Sequence, residues 1–510
     1  MNHPIEGFAD VEMRAERVLS ALPWVNEFGR LPAPFYTRLP PQPLPDPRLV
    51  GVSQDALSDL GLDPDLPRSQ AFIEVFCGNR LARGADPLAA VYAGHQFGVY
   101  VPQLGDGRAV LLGGIRTPDG AVQELQLKGS GPTPYSRMAD GRAVLRSSIR
   151  EFLCSEAMHA LGVPTTRALA VVGSHEPVVR ESVETAAVVT RFAPSFVRFG
   201  TFEYFSWRQQ PELLRQLADY VIDAFFPDCR QAGQPYLALL GEVSRRTARL
   251  IAHWQALGFC HGVMNSDNMS ILGLTLDYGP FGFIDRFDAG HVCNHSDESG
   301  RYAFDRQPAI AYWNLRCLAQ ALLPLTVDPD RTLEQIDSFV AQFELSMMAR
   351  MRAKLGLQLE ADGDADLVEA TMQMLHRNRV DWTLFWRRLA LFPRVPVAPA
   401  HTHALGDLSL PDGELQAWAA GYRARLGLET ASDGQRRQRM DAVNPKFVLR
   451  NHLAQQAIEA ASGIDGAPEF SEVARLLQCL RRPYDEQPSF EAYALPPQES
   501  AAPVCVSCSS

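Results

Sequence analysis

The chain has 510 residues and a net charge of −11; 46% of its residues are hydrophobic and 21% are charged. This composition is typical of a folded globular protein, and the length allows several average domains or one large elaborated domain. The acidic balance argues against a nucleic-acid-binding protein, whose domains are usually basic, although a few local Arg and Lys residues would still suffice to bind a nucleotide.

We expect neither export nor membrane insertion. The first residues are acidic and lack the apolar core of a signal peptide, and no apolar run is long enough to cross a membrane. The nine cysteines are scattered, which is typical of a reducing compartment; they lie at positions 77, 154, 229, 260, 293, 317, 479, 505 and 508. The sequence therefore predicts a cytoplasmic protein that binds neither membranes nor nucleic acids.

Seven prolines between residues 31 and 47 exclude a helix or a central strand in this segment. We interpret it as an extended segment that lies over a surface, with Phe35 and Tyr36 contributing to the packing. A flexible linker is the alternative. The segment belongs to an N-terminal extension that we assign to residues 1–95.

Residues 96–210 predict a small, β-rich lobe that contains one helix. Apolar or alternating runs have the pattern of strands at 109–112, 124–128, 166–172 and 186–192. Between the second and third runs, the apolar residues of 149–161 share one helical face. We expect this helix to begin near Ser147 or Ser148 and to end at Gly162.

Residues 211–430 predict a larger, mostly helical lobe. One stripe marks a long helix that Gly258 ends; it contains Val243, Leu250, Ile251, Trp254 and Leu257. Residues 431–510 are assigned to a helical C-terminal extension with a cysteine-containing tail, and the last ~30 residues are expected to be loosely ordered. The predicted class is α+β, and the order of the parts is that of a bilobal protein-kinase-like fold with two extensions.

The long helix leads into the stretch HGVMNSDNMSILGLTLDYGPFGFID, which occupies residues 261–285. Protein kinases carry H-x-D-x-x-x-x-N followed by D-F-G in this place. His261, Asn268 and the triplet at 277–279 match these motifs, but Val263 stands where the catalytic Asp is expected. The stretch is therefore either that of an inactive kinase or that of an enzyme with different chemistry.

Asn268 and Asp277 are the predicted ligands of a divalent cation, because such an ion bridging phosphates takes a few oxygen ligands from the protein. Residues 269–276 predict two short strands around a glycine turn, which would return Asp277 towards Asn268. Asp267 is the only carboxylate in the loop that could accept a proton. The alternatives are that Asn268 and Asp277 are ordinary loop and turn residues and that Asp267 is a solvated carboxylate.

Lys128 ends an alternating strand, and Glu151 lies in the helix that follows, as in the Lys–Glu pair of kinases. For Glu151, a capping box with Ser148 is the alternative; for Lys128, it is a solvated lysine on an edge strand. Additional phosphate-binding groups are the loop at 105–108 and a surplus of arginines, namely Arg108, Arg191 and Arg198. For the loop, the alternative is an ordinary turn; for the arginines, it is ion pairs on the surface. The acid at position 106 would also repel a phosphate.

Together these residues resemble the selenoprotein O (YdiU) family of protein adenylyltransferases. The resemblance covers nearly the whole chain, and its most specific stretches are 91–109, 124–169, 261–285, 445–461 and the pair Cys505-x-x-Cys508. It implies a kinase-like fold that binds ATP in a flipped orientation and transfers AMP to hydroxyl side chains of proteins, with Mg²⁺ or Mn²⁺ as cofactor.

The resemblance also implies a role for each candidate residue. Asp267 would accept the proton, Asn268 and Asp277 would bind the metal, and Glu151 would hold Lys128. The residues implied to contact the nucleotide are Gly105, Gly107, Arg108, Lys128, Asp140, Gly141, Arg191, Arg198 and Asp277.

Some family members carry selenocysteine near the C-terminus, where this chain has Cys508. Cys293 lies soon after the Asp277 motif, in the equivalent of a kinase activation segment. The hypothesis is that a Cys293–Cys508 disulfide tethers the tail over the active site as a redox switch. The alternatives are two free thiols or a competing pair between Cys505 and Cys508.

The predicted function is that of a monomeric enzyme that transfers AMP from ATP to Ser, Thr or Tyr hydroxyls of proteins and releases pyrophosphate. Three alternatives stay open: a protein or small-molecule phosphotransferase, transfer of UMP from UTP, and a non-catalytic nucleotide-binding scaffold. Val263 favours the scaffold, whereas the retention of Asp267, Asn268 and Asp277 disfavours it.

Overall fold

The computed structural model describes residues 8–395, 403–408, 410–463, 466–498 and 504–507. Within these ranges the first half of the chain contains a large antiparallel sheet and the second half is mostly helical. The protein is therefore α+β, as expected. No helix in the described ranges is both long and apolar enough to cross a membrane.

Strands are concentrated between residues 36 and 193. They are β1 (Tyr36–Arg38), β2 (Arg48–Val52), β3 (Leu88–Ala90), β4 (Gly94–Gln96), β5 (Val99–Val101), β6 (Ala109–Arg116), β7 (Val122–Lys128), β8 (Ala143–Val144), β9 (Arg167–Val179), β10 (Val183–Ala193), β11 (Phe259–Cys260) and β12 (Gly282–Phe283). The main sheet has eight strands in the order β1-β3-β6-β7-β10-β9-β2, with β8 paired to β10.

Helices fill most of the remaining chain. They are α1 (Phe8–Ser20), α2 (Gln54–Asp59), α3 (Gln70–Cys77), α4 (Leu145–Ala160), α5 (Phe199–Trp207), α6 (Pro211–Phe225), α7 (Pro227–Arg230), α8 (Pro235–Leu257), α9 (Gln307–Thr326), α10 (Pro329–Lys354), α11 (Asp364–Arg377), α12 (Trp382–Leu389), α13 (His403–Gly406), α14 (Asp412–Leu426), α15 (Asp433–Asp441), α16 (Asn451–Ser462) and α17 (Ser471–Leu480).

Strand β7 separates apolar from polar side chains because successive residues of a strand point to opposite faces. Leu125 and Leu127 are fully buried in a cluster on one face of the sheet. Gln126 and Lys128 point to the other face, and in the antiparallel register Gln126 lies opposite Arg191 of β10. The alternating pattern seen in the sequence thus gives the sheet one polar stripe.

Helix α4 packs on this second face, since Ile149 and Phe152 belong to the same buried cluster as Val189 of the sheet. The helix begins at Leu145, two or three residues before the predicted start at Ser147 or Ser148. Ser148 therefore lies inside the helix, and the capping box with Glu151 that the sequence left open is wrong.

Helix α8 is the long helix that the sequence predicted, and Gly258 ends it with a left-handed φ of 70°. A residue without a side chain adopts this conformation at least cost. Strand β11 follows at once and pairs with β12, so that Phe259 lies opposite Phe283. This pairing frames the loop that begins at His261.

Both terminal segments pack on the sheet and helices. Phe35 is fully buried, and β1, β2 and β3 contribute to the main sheet. Near the C-terminus, Phe490 and Ala494 are also buried, so the expectation of a loosely ordered tail is wrong for residues 481–498. The four domain assignments and the kinase-like arrangement of two lobes stay predictions.

Candidate active site

The loop after β11 returns on itself as the sequence suggested, although by a shorter pairing. Met269 and Thr275 form a single antiparallel bridge in place of two strands, and Gly273 turns the chain with a φ of 71°. The loop residues Ser266–Asn268 form one 3₁₀ turn. Asn268 and Asp277 thereby both come within hydrogen-bonding distance of the same nitrogen, Nη1 of Arg198.

Three cationic side chains surround the carboxylate of Asp277. Arg198 donates from Nη1 to its Oδ2 over 2.6 Å, and Arg191 donates to its Oδ1. The ammonium of Lys128 lies 3.7 Å from Oδ1. Burial alone would raise the pKa of Asp277, but the positive charges of the three neighbours outweigh it and hold the pKa well below its usual range.

Glu151 of α4 binds two of these cations. Its Oε2 accepts from Lys128 Nζ over 2.5 Å, and its Oε1 accepts from Arg191 Nη1 over 2.9 Å. Burial lowers the pKa of Lys128, although the two nearby carboxylates oppose this shift. The expected Lys128–Glu151 pair is thus present as a contact, and it is buried.

Asn268 has its amide held in one orientation. Nδ2 donates to the carbonyl of Val263 over 3.0 Å, which turns Oδ1 towards Arg198 at 3.5 Å. The described residues contain no cluster of three or more His, Cys, Asp or Glu side chains that could hold a metal by themselves. Two oxygen donors fit a divalent ion that takes its remaining ligands from phosphates and water, as Mg²⁺ commonly does.

Asp267 is buried, and its two oxygens differ. Oδ2 accepts from Gln96 Nε2 over 3.2 Å, whereas Oδ1 is buried and has no hydrogen-bond partner among the described residues. Burial raises the pKa of this carboxyl to about 7, against the lowering effect of Arg198. A buried carboxylate with one free oxygen is suited to accept a proton from a neighbouring group.

The hairpin of β4 and β5 covers the loop, a feature that the sequence reasoning missed. His95 N donates to Ser266 Oγ over 2.7 Å, and Phe97 N donates to Asn265 Oδ1 over 3.2 Å. Gly94 lies so close that a Cβ there would come within 2.7 Å of Asp267 Oδ1. Residues 94–97 lay in a stretch that carried the family resemblance, but no local pattern distinguished them from an ordinary turn.

The loop at 105–108 has the tight backbone that its glycines suggested. Gly105 has a φ of 113°, and a Cβ on Gly107 would come within 2.8 Å of the Tyr135 carbonyl. The acid does not face outwards: Asp106 Oδ2 accepts from Ala90 N over 3.0 Å, and burial raises the pKa of this carboxyl. The expected repulsion of a phosphate by Asp106 is thus removed by its inward orientation.

A profile of the family described as "Protein adenylyltransferase SelO" matches residues 18–481. This chain belongs to the SelO family. Three proteins named "Protein nucleotidyltransferase YdiU" are similar to it over nearly their full length.

The relative from Cupriavidus pinatubonensis is 55% identical over 503 residues, which cover 96% of this chain and 95% of the relative. The relative from Burkholderia pseudomallei (strain 1710b) is 56% identical over 508 residues, with 96% of both chains covered. The relative from Dechloromonas aromatica is 55% identical over 489 residues, which cover 95% and 97%. The chain is therefore an enzyme, a protein nucleotidyltransferase of the SelO family.

Three other residues that the resemblance implied to contact the nucleotide form no described contact with the Asp277 cluster. Arg108 is half-buried, and its side chain forms no hydrogen bond or ion pair within the described ranges. Asp140 accepts two hydrogen bonds from Arg180, at 2.7 and 2.8 Å, and is not in contact with the Asp277 cluster. A Cβ on Gly141 would come within 2.2 Å of the Gly131 backbone, so this glycine is required by the packing of two loops.

Cys293 is buried and donates from Sγ to the carbonyl of Cys260 over 3.4 Å. Burial raises the pKa of the Cys293 thiol well above its usual range, so little thiolate is present at neutral pH. Cys508 lies outside the described residues. The tail does reach this region of the SelO fold, because His295 N donates to the carbonyl of Val506 over 2.9 Å.

A cavity of about 430 Å³ lies elsewhere, between α2, α4 and α17. Its charged groups are already engaged in ion pairs: Arg167 binds Glu156 and Asp59, and Arg481 binds Asp55. The Asp277 cluster, where cations and carboxylates meet next to a buried oxygen without a partner among the described residues, is therefore the candidate active site.

Proposed function

We propose that this chain transfers AMP from ATP to Ser, Thr or Tyr hydroxyls of proteins and releases pyrophosphate. The observation that carries the proposal is the set of three cations around Asp277, next to Asp267 with its free oxygen. A protein kinase uses a single lysine near the phosphates. A larger set of cations suits an enzyme whose leaving group is a charged pyrophosphate.

The cations of this chain would hold the triphosphate by its β and γ groups. Arg191 and Arg198 offer guanidinium groups, which donate charge-assisted hydrogen bonds to phosphate oxygens, and Lys128 adds a point charge. Arg108 would contribute a further charge from the glycine loop. With the terminal phosphates bound here, the α-phosphate is presented to the acceptor, which is the reverse of the orientation in a kinase.

Asp267 would accept the proton of the attacking hydroxyl through Oδ1, while Gln96 keeps Oδ2 engaged. Asn268 and Asp277 would hold Mg²⁺ or Mn²⁺ together with the phosphates. When bound, the ion supplies charge neutralisation at the reacting phosphate. Most of the catalysis then comes from positioning and electrostatics.

The proposal also covers the domain organisation, the cellular location and the oligomeric state of the enzyme. We assign the β-rich part at 96–210 and the helical part at 211–430 to the two lobes of a kinase-like fold, flanked by extensions at 1–95 and 431–510. The enzyme would act as a cytoplasmic monomer. The antiparallel sheet with α4 behind it and the helical region after residue 210 support this assignment.

Redox control is a second part of the proposal. Cys293 and Cys508 would lose two electrons and two protons to an oxidant such as hydrogen peroxide and form a disulfide. The contact of Val506 with His295, two residues after Cys293, supports it. Mass spectrometry of the oxidised, unreduced protein should contain a peptide that joins Cys293 to Cys508, and a Cys505–Cys508 link alone would contradict the tether.

A labelling assay tests the activity. Purified protein with Mg²⁺ and a mixture of bacterial proteins receives ATP labelled at the α-phosphate, ATP labelled at the γ-phosphate or UTP labelled at the α-phosphate. Asp267→Asn is the inactive control, and Asp366→Asn, at an exposed position, is the matched control. Label on protein from α-ATP only is expected.

The other results exclude the proposal in different ways. Label from the γ-phosphate would make the enzyme a phosphotransferase. Label from UTP in preference to ATP would make it a uridylyltransferase. Nucleotide binding with no label on any protein would favour the scaffold.

A further inference from the structure

One buried side chain, Gln126, connects the glycine loop to the phosphate cluster. Its Nε2 donates to Asp106 Oδ2 over 3.2 Å, and its Oε1 accepts from Arg191 Nε at 2.8 Å and from Nη2 at 2.6 Å. Gln126 is fully buried. A continuous chain of hydrogen bonds thus runs from the loop through the sheet to the guanidinium that contacts Asp277.

The direction of the Gln126 amide follows from its neighbours. An arginine can only donate, so the amide oxygen of Gln126 faces Arg191. The amide nitrogen is therefore left to donate to Asp106 Oδ2, the oxygen that also accepts from Ala90 N. Gln126 therefore holds two of the three nitrogens of the fork. The third, Nη1, is left to Glu151 and Asp277.

Asp106 fixes the other end of this chain. Its Oδ2 also accepts from the backbone of Ala90, and its own backbone N–H donates to the Ala90 carbonyl over 2.9 Å. Asp106, the acid in the glycine loop, is thus hydrogen-bonded to both Ala90 and Gln126. A substitution of Gln126 would therefore remove hydrogen bonds from both Asp106 in the loop and Arg191.

We propose that Gln126 and Asp106 are positioning residues that aim Arg191 at the β- and γ-phosphates of the nucleotide. This inference rests on the proposed function. An arginine side chain has many rotamers, and a fork that is held in advance loses less freedom when it binds phosphate. The benefit applies only to ligands that carry the terminal phosphates.

This reasoning predicts a selective effect. Without Gln126, Arg191 keeps its contacts with Glu151 and Asp277 but is free to tilt. The affinity for ATP should fall, whereas the affinity for AMP, which lacks the terminal phosphates, should not. If the role of Gln126 were purely structural, its substitution would weaken the binding of ATP and AMP equally or would only lower the stability of the protein.

The test uses Gln126→Met in the full chain, with Gln123→Met as the matched control on the same strand. Binding of ATP and of AMP is measured by calorimetry in the presence of Mg²⁺, together with transfer of label from α-ATP. Losing hydrogen bonds to a charged group should weaken ATP binding about tenfold to a hundredfold in Gln126→Met and leave AMP within about twofold. Gln123→Met should behave as the wild type.

The outcomes separate the inference from the proposed function. If Gln126→Met binds both nucleotides as the wild type does, or loses both equally, the positioning role is overturned while the activity of the wild type still stands. If the wild type itself does not prefer ATP over AMP and transfers no label, both the inference and the proposed function are overturned.

A second set of variants, at Asp106, tests the same inference independently, in case Gln126→Met does not fold. Asp106→Asn keeps one side-chain oxygen that can accept from both Ala90 and Gln126, so its ATP affinity should stay within about threefold of the wild type. Asp106→Ala removes the acceptor and should selectively weaken the binding of ATP, as Gln126→Met does.

Because both residues act through one chain of hydrogen bonds, the double variant Asp106→Ala/Gln126→Met should lose little more ATP affinity than either single variant. Additive losses would overturn the inference.

Discussion

Gln96 donates from Nε2 to Oδ2 of Asp267 over 3.2 Å, and the other oxygen of Asp267 is buried without a partner among the described residues. The two oxygens of one carboxylate are thus given different roles by a residue that lies far away in sequence. One oxygen is used to hold the side chain in place. The other is the oxygen that the proposed function uses to accept a proton.

Asp267→Asn should retain the shape of the loop but lose the proton acceptor. Removing a general base usually slows a reaction about 10²–10⁴-fold. We therefore expect the rate of AMP transfer to fall by this factor, while the dissociation constant for ATP changes little. Rapid-quench kinetics and calorimetry measure the two quantities, and a variant with nearly normal turnover would show that Asp267 is not the base.

Gly94→Ala tests whether the β4–β5 hairpin must lie against the loop. The added Cβ would come within 2.7 Å of Asp267 Oδ1 and 3.0 Å of its backbone nitrogen, so one of the two segments must shift. A displacement of about 1 Å in an active site can cost roughly a hundredfold in rate. We expect such a loss in turnover with a folded protein.

The control for this prediction is Gly421→Ala in α14, where a Cβ would meet no atom within 4 Å. Alanine at an exposed helix position should stabilise the protein by about 0.5–1 kcal/mol and leave turnover unchanged. Equal kinetics of the two variants would contradict the close contact between Gly94 and the loop.

Asp277→Asn should separate metal dependence from nucleotide binding. Asp277 forms ion pairs with Arg191 and Arg198. Under the proposed function, and without a metal, its carboxylate would compete with phosphate oxygens for these two arginines. The neutral variant should therefore bind ATP about tenfold more tightly than the wild type in EDTA, because its arginines have lost a charged partner. In Mg²⁺ the variant should show no gain in affinity and no transfer.

Calorimetry with and without EDTA measures both effects on the same preparations. A variant that loses ATP binding in EDTA would show that Asp277 orders the arginines rather than competing for them. A variant that still transfers AMP in Mg²⁺ would remove Asp277 from the proposed metal site.

Lys354 provides a stability prediction with a defined pH dependence. It is buried over the ring of Trp386, with Nζ 4.8 Å from the ring centroid, and burial lowers its pKa from 10.5 to about 7. The unfolded chain binds this proton more readily than the folded one between these two values. The folded state is therefore progressively penalised as the pH falls from 10.5 to 7, and the penalty is constant below 7.

Lys354→Met removes this penalty and should stabilise the protein at pH 7 by on the order of 3–5 kcal/mol, with the gain shrinking towards pH 10. Urea unfolding at several pH values measures it. Lys446→Met is the control with the opposite sign. Burial alone would lower the pKa of Lys446, but its ion pairs with Glu486 and Glu491 outweigh this effect and raise it, so their contribution is lost only at high pH. A pH-independent effect of Lys354→Met would contradict the assigned pKa.

Local sequence patterns anticipated the elements that carry the site. The alternation at 124–128 predicted the strand that ends at Lys128, and the apolar stripe up to Leu257 predicted helix α8 and its end at Gly258. These features depend on the period of a strand, the period of a helix and the conformational freedom of glycine. Each of them acts over a few residues, so the sequence by itself contains the information.

Only the tertiary structure decided which side chains meet. Arg191, Arg198 and Asp277 lie on separate elements, and no spacing in the sequence says that one carboxylate will contact both guanidinium groups. The start of α4 at Leu145 was also set by the neighbouring strand β8 rather than by a capping residue. The inward turn of Asp106 and the contact of Gln96 with Asp267 are further results of long-range packing. The physical reason is that these contacts depend on register and burial across the whole sheet, which a local pattern does not encode.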